Sequence, residues 1–391
     1  MDFEPNETQD QVRATARRVA EKVLAPGASE LDRTEAFPEA AVRELGRLGL
    51  LAVNVPETLG GSEAGVVAYA LALMEIAAAD CSVAVTMAVT NMVGELIARE
   101  GTREQAERCC PRLASGEWLA GAFALSEPQA GSDPAGLTTR AERRHGRWVL
   151  HGEKQWITSG DRAGVLVTWA KSDPAAGARG ITAFLVEAGT PGLVIGRREQ
   201  KMGLRASPTV ALTLDGVELT DAAVLGRPGE GYRIALAALD GGRIGIACQA
   251  IGTLRAALEA ATAYARLRVA FGRPLGEFQA IRFMLADMAT EHDAARLLAL
   301  RAAALKEAGW PFRREASMAK LFASEAAQRA VSKAVQIHGG YGYVDGSPVE
   351  RFFRDARVQT IYEGTSEIQR LVIARDLLRG DEEGVRQADR A

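Results

Sequence analysis

The chain has 391 residues, of which 47% are hydrophobic, and 47 Lys plus Arg against 50 Asp plus Glu give a formal net charge of −3. This length is ample for a buried core and for more than one domain. Because a near-neutral chain lacks the basic surface that phosphate-backbone binding needs, nucleic acid is not expected as a partner.

The ends and apolar runs of the sequence predict a cytoplasmic protein with no membrane partner. The first residues are polar and acidic, unlike a secretory signal. The apolar runs at residues 64–79 and 81–93 are short or broken by Glu75, Asp80 and Asn91, so no membrane span is expected. The four cysteines have neither the spacing nor the neighbouring histidines of a zinc site.

Residues 1–120 are predicted to form an N-terminal helical domain. Val12, Ala16 and Val19 recur at helical spacing, and Asn6 with Gln9 fits a capping box at the start of that helix. A second helix is expected after Pro38. Residues 64–100 are apolar on most sides, which is typical of two buried core helices.

Near Ala120 the apolar period changes from 3.6 to 2, which predicts a middle β domain over residues 121–230. Short segments such as 147–151, 164–169, 181–186 and 210–214 are β-branched and separated by Gly, Pro or Asp.

From residue 231 the helical period returns in four runs, at 231–265, 277–308, 314–337 and 366–379. We therefore expect residues 231–391 to form a C-terminal four-helix-bundle domain, with a frayed polar tail from residue 380. The three segments together predict an α+β protein.

Several common chemistries lack their sequence signatures. No G-x-G-x-x-G follows a predicted strand and no phosphate-binding P-loop is present. The chain has four histidines, and its single Glu-x-x-His pair, Glu142 and His145, lies in a predicted strand, so no metal site is expected. A G-x-S-x-G nucleophile elbow is also absent.

Five segments carry polar and backbone-specific residues, at 123–133 (FALSEPQAGSD), 156–158 (WIT), 264–279, 336–342 (QIHGGYG) and 361–369 (IYEGTSEIQ). Each has an ordinary structural explanation, such as a turn, a core strand, a glycine C-cap or a capping box of Ser366 and Gln369. Arg268 and Phe271 are three residues apart, which predicts one helical face offering a guanidinium to phosphate and a ring for stacking.

Taken in this order, the segments resemble the acyl-CoA dehydrogenase family over nearly the whole chain, together with a Lys-Met-Gly-x-Arg motif at 201–205. The resemblance implies a helical N-terminal domain, a β-barrel-like middle domain and a C-terminal helical bundle. It also implies FAD bound without a dinucleotide fingerprint, by a homo-oligomer that is usually a tetramer.

The resemblance assigns the FAD-binding residues in three groups. Those expected beside the flavin ring are Phe123, Ala124, Leu125, Ser126, Ser132, Trp156, Ile157 and Thr158. Those expected from a neighbouring copy, at the adenine and pyrophosphate end, are Arg268, Phe271, Gln279, Gln336, Ile337, His338, Gly339 and Gly340. Thr365 and Glu367 would complete the site.

The implied reaction is the α,β-dehydrogenation of an acyl-CoA thioester to the trans-2-enoyl-CoA. Glu363 would be the Cα base and flavin N5 the hydride acceptor, with the Glu363 N–H and a ribityl hydroxyl polarising the thioester carbonyl. Ser132, Asp240, Arg243 and Gly364 match family positions that line the CoA-thioester channel. Tyr362, next to the base, is expected to contact the substrate by shaping the acyl pocket.

Some family members carry the base at the position of Gly242, so Glu363 is the only candidate here. The glycine pattern around Gly242 is most similar to short-chain, butyryl-CoA-type members. Electron-transferring flavoprotein is the expected electron acceptor. Two alternatives stay open: an acyl-CoA oxidase that uses oxygen, and a flavin-free, non-enzymatic relative.

Overall fold

A computed structural model describes residues 4–378 and begins with a group of helices. They are α1 (Glu7–Val19), α2 (Ala28–Thr34), α3 (Glu39–Arg47), α4 (Val66–Ala79), α5 (Cys81–Glu100) and α6 (Arg103–Ala114). The predicted capping box is confirmed, because Asn6 and Gln9 each accept a hydrogen bond from the other's backbone N–H. The buried pair predicted at residues 64–100 corresponds to α4 and α5, and Asp80 caps α5 through the N–H groups of Ser82 and Val83.

The middle of the chain forms one eight-stranded sheet. Its strands are β1 (Ala120–Ala124), β2 (Arg140–Arg144), β3 (Arg147–Thr158), β4 (Ala163–Lys171), β5 (Ile181–Glu187), β6 (Leu193–Arg198), β7 (Thr209–Leu219) and β8 (Val224–Leu225). The order is β6-β7-β3-β2-β4-β5-β8, and β1 lies parallel to β4. The β2–β3 hairpin turns at His145 and Gly146, which both have positive φ as a tight two-residue turn requires.

The C-terminal part is helical, as predicted, apart from one short hairpin. Its elements are α7 (Gly231–Leu267), β9 (Val269–Ala270), β10 (Arg273–Pro274), α8 (Gln279–Glu307), α9 (Arg313–His338), α10 (Gly340–Tyr343), α11 (Pro348–Ala356) and α12 (Ser366–Leu378). The predicted tail from residue 380 lies outside the described residues.

Two sequence-based expectations in this part are wrong. Arg268 and Phe271 do not share a helical face, since α7 ends at Leu267, Arg268 is extended and Phe271 lies in the β9–β10 turn with φ 51°. Ser366 is not the cap of α12. Thr365 accepts the N–H of Ile368 instead, and Gln369 turns its amide to the carbonyls of Glu363 and Gly364.

Helices α5 and α7 are long and apolar enough to cross a membrane by composition, which corrects the expectation that no such run exists. However, 83% and 72% of their most apolar windows are buried inside the protein. This burial is what core helices require, so the two helices are weak evidence for a membrane span.

Two large hydrophobic clusters cross the predicted domain limits. The first joins residues of α4 and α5 to α7, α8 and α9. The second joins α5 and α6 to strands β4 and β5 and to the start of α7. The limits at residues 120 and 230 stay predictions, but the three parts share their cores and so hold one another in place.

Candidate active site

Glu363 occupies a left-handed turn immediately before α12. Its φ is 52° and that of Gly364 is 86°, a conformation that a non-glycine residue adopts only when its surroundings enforce it. The residue is half-buried, but its carboxylate oxygen Oε2 is enclosed and has no hydrogen-bond partner among residues 4–378. Burial raises the pKa of Glu363 to about 7, against the opposing charges of Arg243 and Lys320. A carboxyl group with this pKa can accept a proton near neutrality.

Two side chains hold the turn that carries Glu363. Lys320 of α9 is fully buried, and its Nζ donates to the Gly364 carbonyl at 2.7 Å. The Gln369 amide donates to the carbonyls of Glu363 and Gly364 at 3.1 and 3.0 Å. Burial lowers the pKa of Lys320 to about 8, while the Glu363 charge acts to raise it.

Neither Lys320 nor Gln369 was predicted from the sequence to act at this site. A signal for Lys320 was present, since it lies among Ala316, Ala319 and Ala323 on the apolar face of α9. A lysine on such a face is seldom fully buried without a specific partner.

Asp240 and Arg243 form a buried ion pair one turn apart on α7. Arg243 Nη1 lies 2.7 Å from Asp240 Oδ1 and 3.2 Å from Ser317 Oγ, and Arg313 Nε reaches Asp240 Oδ2 at 3.0 Å. Arg243 Nε is buried without a partner, so this guanidinium retains a free donor. The positive charge of Arg243 also acts to lower the pKa of Glu363.

Gly242 lies directly against the Glu363 carboxylate. A Cβ at this position would lie 2.8 Å from Glu363 Oε2 and 3.1 Å from Met92 Sδ. Tyr362 is next to Glu363 in sequence, but its hydroxyl donates to Gln249 Oε1 and is therefore occupied.

The predicted flavin-ring segments, residues 123–126 and 156–158, lie side by side. The N–H of Gln155 donates to the Ser126 carbonyl at 2.9 Å, and Ile157 shares a small apolar cluster with Ala122 and Ala124. Trp156 has φ 63° and is 61% exposed, so its ring is open to an external partner. Ser132 is exposed further along the same loop.

A buried ion pair that the sequence analysis missed anchors these segments. Lys154 Nζ lies 2.8 Å from Glu127 Oε1 and also donates to the carbonyls of Leu125 and Trp169. Burial alone would raise the pKa of Glu127, but the Lys154 charge and hydrogen bonds from Thr138 and Thr139 lower it to about 2.

Five of the eight predicted adenine-end residues, namely Arg268 and residues 337–340, line a separate groove at the end of α7 and α9. Its walls are Tyr264, Arg268, Leu275, Ile337, His338, Gly339, Gly340, Tyr341 and Val344. The Tyr264 and His338 rings stack at 4.3 Å, and the Arg268 guanidinium lies 5.7 Å from the centre of the Tyr341 ring. Added Cβ atoms on Gly339 and Gly340 would meet nothing within 4 Å, so the backbone there faces open space.

The remaining predicted cofactor residues are mostly on the surface. Phe271 is 95% exposed, and Gln279, Gln336 and Glu367 are exposed as well. Thr365 is the N-cap of α12. Among residues 4–378, no hydrogen bond, ion pair or ring contact joins the groove to the flavin-ring segments. In the same part of the chain, no cluster of three His, Cys, Asp or Glu side chains could hold a metal ion.

The sequence matches three family domains in the same order as these structural parts. They are the acyl-CoA dehydrogenase N-terminal domain over residues 6–117, the middle domain over 122–217 and the C-terminal domain over 229–378. The chain belongs to the acyl-CoA dehydrogenase family.

Individual acyl-CoA dehydrogenases are similar to this chain along nearly their whole length. An acyl-CoA dehydrogenase of Bacillus subtilis is 48% identical, with 95% of this chain and 99% of that protein covered. The mitochondrial short-chain specific acyl-CoA dehydrogenase of Bos taurus is 48% identical, with 95% and 90% covered. The solved structure of butyryl-CoA dehydrogenase from Megasphaera elsdenii superimposes with a TM-score of 0.95 at 41% identity, covering 97% of this chain and 100% of that one.

Membership of the acyl-CoA dehydrogenase family confirms the predicted fold class and makes the protein an oxidoreductase acting on CH–CH groups, with FAD as its cofactor. The flavin-free, non-enzymatic alternative is thereby set aside. The structure is suited to this cofactor, because the groove combines the Arg268 guanidinium, which has no carboxylate partner in the part of the chain that the structure describes, with side-chain-free backbone at Gly339 and Gly340, as a phosphate-linked ring system needs.

Proposed function

We propose that the protein converts a short-chain acyl-CoA thioester to its trans-2-enoyl-CoA, with Glu363 as the base that removes the Cα proton. The observation that carries this proposal is the Glu363 carboxylate, which is enclosed, lacks a partner at Oε2 and has a pKa of about 7. Gly242 offers no competing base at the adjacent position. The short-chain assignment is supported by the similarity to short-chain and butyryl-CoA dehydrogenases.

The chain's own groups account for the polar requirements of the reaction. Glu363 Oε2 would hold the abstracted proton, since no other side chain competes for that oxygen. The N–H of Glu363 has no acceptor among the described residues, so it is free to donate to the thioester carbonyl as negative charge develops there. Ser132, Asp240, Arg243, Tyr362 and Gly364 are proposed to contact the CoA thioester. FAD, when bound, supplies the acceptor for the Cβ hydride.

The proposal extends to the assembly and the electron acceptor. We propose a cytoplasmic homotetramer in which Arg268, Phe271, Gln279 and residues 336–340 hold the FAD of a neighbouring copy. The exposure of Phe271, Gln279 and Gln336 in a single chain supports this sharing. Electron-transferring flavoprotein is the proposed electron acceptor.

An anaerobic titration with acyl-CoA thioesters tests the reaction. Linear substrates from butanoyl-CoA to hexadecanoyl-CoA, with branched and aromatic ones, are added while the loss of flavin absorbance is followed. We expect butanoyl-CoA to bleach the flavin, and Glu363→Gln to retain FAD but bleach at least ~10²-fold more slowly, as loss of a general base requires. Bleaching of that variant at the wild-type rate would refute the role of Glu363, and rapid peroxide formation in air would favour the oxidase.

A further inference from the structure

A narrow cleft lies between α5 and α7, and its lining residue Gly242 lies next to the Glu363 carboxylate. Its walls include Tyr69, Asn91, Met92, Glu95, Gly241, Gly242 and Lys306. Gly242 and Met92 lie at the end of the cleft beside Glu363. A Cβ built on Gly242 would lie 2.8 Å from Glu363 Oε2 and 3.1 Å from Met92 Sδ. The free space in this cleft is about 20 Å³, so the acyl chain of a substrate whose Cα faces Glu363 would have to widen the cleft as it enters.

An ion pair lies in the cleft next to that end. Lys306 Nζ of α8 lies 2.6 and 2.9 Å from the two carboxylate oxygens of Glu95, and the side chains are 14% and 24% exposed. A Cβ on Gly241 would lie 3.0 Å from Lys306 Nζ, so the pair touches α7 one residue away from Gly242. Of the polar residues that also line the cleft, Asn91 already uses its amide on Leu50, Val53 and Met87, and the Asn54 amide donates to Glu95 Oε2 at 3.5 Å.

The distance from Glu363 to the ion pair can be set from helix geometry. Met92 and Glu95 are three residues apart on α5, which is a rise of about 4.5 Å. Carbon–carbon bonds are about 1.5 Å long, so this span accommodates roughly three or four of them. Beyond the pair, one turn further along α5, Arg99 is 44% exposed and the cleft approaches the surface.

We propose that the Glu95–Lys306 ion pair closes the acyl pocket and is the element that restricts this enzyme to short, apolar acyl chains. A chain longer than about six carbons must press methylene groups against two charges or displace one of them. Displacement leaves the other charge partly buried and unpaired, which is strongly unfavourable. This inference rests on the proposed function, because it assumes that an acyl-CoA is oxidised at Glu363.

The double variant Glu95→Leu with Lys306→Met tests the proposal. The double variant removes both charges together, so it leaves no buried, unpaired charge that would destabilise the fold. Its FAD content and thermal unfolding are measured first, to verify that it is folded. The kcat/KM for butanoyl-, hexanoyl-, octanoyl- and glutaryl-CoA is then compared with wild type. We expect the kcat/KM for octanoyl-CoA, divided by that for butanoyl-CoA, to rise at least about tenfold. This is the lower end of the change in kcat/KM that one additional methylene contact in an apolar pocket produces.

Lys333→Met is the matched control, because Lys333 also pairs with a carboxylate between helices, Asp287 at 3.0 Å, but does not line the cleft. Its ratio should stay at the wild-type value. The proposal is overturned if the double variant keeps the wild-type ratio, if wild type already oxidises octanoyl-CoA as well as butanoyl-CoA, or if wild type prefers glutaryl-CoA. Failure of every thioester to bleach the wild-type flavin would instead refute the proposed function.

Discussion

Two cations face the Glu363 carboxylate and act against the burial that raises its pKa. Arg243 is permanently charged, whereas Lys320 is itself buried with a pKa of about 8. The pKa of Glu363, about 7, therefore reflects a balance between removal from water and two nearby positive charges. This balance can be tested by changing the pH or by removing one cation.

The rate of flavin reduction should rise with pH through about 7. Below this pKa Glu363 is protonated and cannot accept the Cα proton, and above it the base form dominates. Stopped-flow bleaching by butanoyl-CoA between pH 5.5 and roughly 8 measures the inflection in this range. A rate that is flat across this range would contradict Glu363 as the titrating base.

Lys320→Met should move that inflection to higher pH by about one unit, because it removes a positive charge that stabilises the Glu363 carboxylate. Lys320→Gln is the companion variant, since it retains a donor for the Gly364 carbonyl but not the charge. Both variants should shift the inflection, and only Lys320→Met should also disturb the turn. An unmoved inflection in both would show that Lys320 has a structural role alone.

The contrast between Glu363 and Lys320 shows what a sequence reveals at the scale of residues. Glu363 lies in a contiguous Tyr-Glu-Gly-Thr motif and was assigned from the resemblance. Lys320 reaches the same turn from a helix 44 positions earlier in the chain. Such a contact depends on how α9 packs against the turn, which local patterns do not specify.

At the scale of elements, helix α7 positions a glycine where any side chain would meet the base. Gly242→Ala should slow flavin reduction at least about tenfold, because its Cβ would lie 2.8 Å from Glu363 Oε2 and force the carboxylate to move. Alanine favours a helix over glycine by up to ~1 kcal/mol, so a loss of helix stability cannot explain the effect.

Gly241→Ala is the matched control for Gly242→Ala. Its Cβ would meet the flexible end of Lys306 at 3.0 Å and not Glu363. Because butanoyl-CoA is too short to reach that ion pair, we expect the rate with this substrate to fall much less than in Gly242→Ala. Rates of flavin reduction and FAD content are measured for both variants. Equal rates in the two variants would contradict a specific steric role for Gly242.

The elements themselves were largely predictable, because the change of apolar period marks where helices give way to strands. The β9–β10 hairpin was not. The apolar pattern of α7 continues to Leu267, and only the positive φ values of Phe271 and Gly272 reveal the turn that follows. A Phe-Gly pair is a weak turn signal, so a longer helix was the natural prediction.

The Glu127–Lys154 ion pair should stabilise the flavin-ring segments strongly. Lys154→Met leaves the Glu127 carboxylate buried and unpaired, and breaking such a pair costs about 3–5 kcal/mol. Denaturant unfolding of the variant should show this loss, together with lower FAD content. The double variant Glu127→Gln with Lys154→Met should recover much of it, and a single variant as stable as wild type would contradict the interpretation.

At the scale of the whole molecule, the three parts of the chain share hydrophobic cores. The predicted flavin-ring residues and adenine-end residues behave differently, since no hydrogen bond, ion pair or ring contact joins the two groups within residues 4–378 of one chain. Oligomerisation would resolve this separation, because the groove of one copy could face the flavin-ring segments of another.

Retention of FAD should therefore depend on Arg268 and on assembly. Arg268 has no carboxylate partner among the described residues and lines the groove beside Tyr341, and losing a charge-assisted hydrogen bond costs about 1.5–3 kcal/mol. Arg268→Met should thus weaken FAD binding roughly ten- to a hundredfold, as measured by flavin fluorescence on reconstitution of the apoprotein. Arg266→Met is the control, because Arg266 is exposed on the last turn of α7 but does not line the groove.

Sedimentation of wild type over a dilution series should show FAD released as the oligomer dissociates. A monomer that keeps its FAD would contradict the shared site, even if Arg268→Met proved to weaken binding.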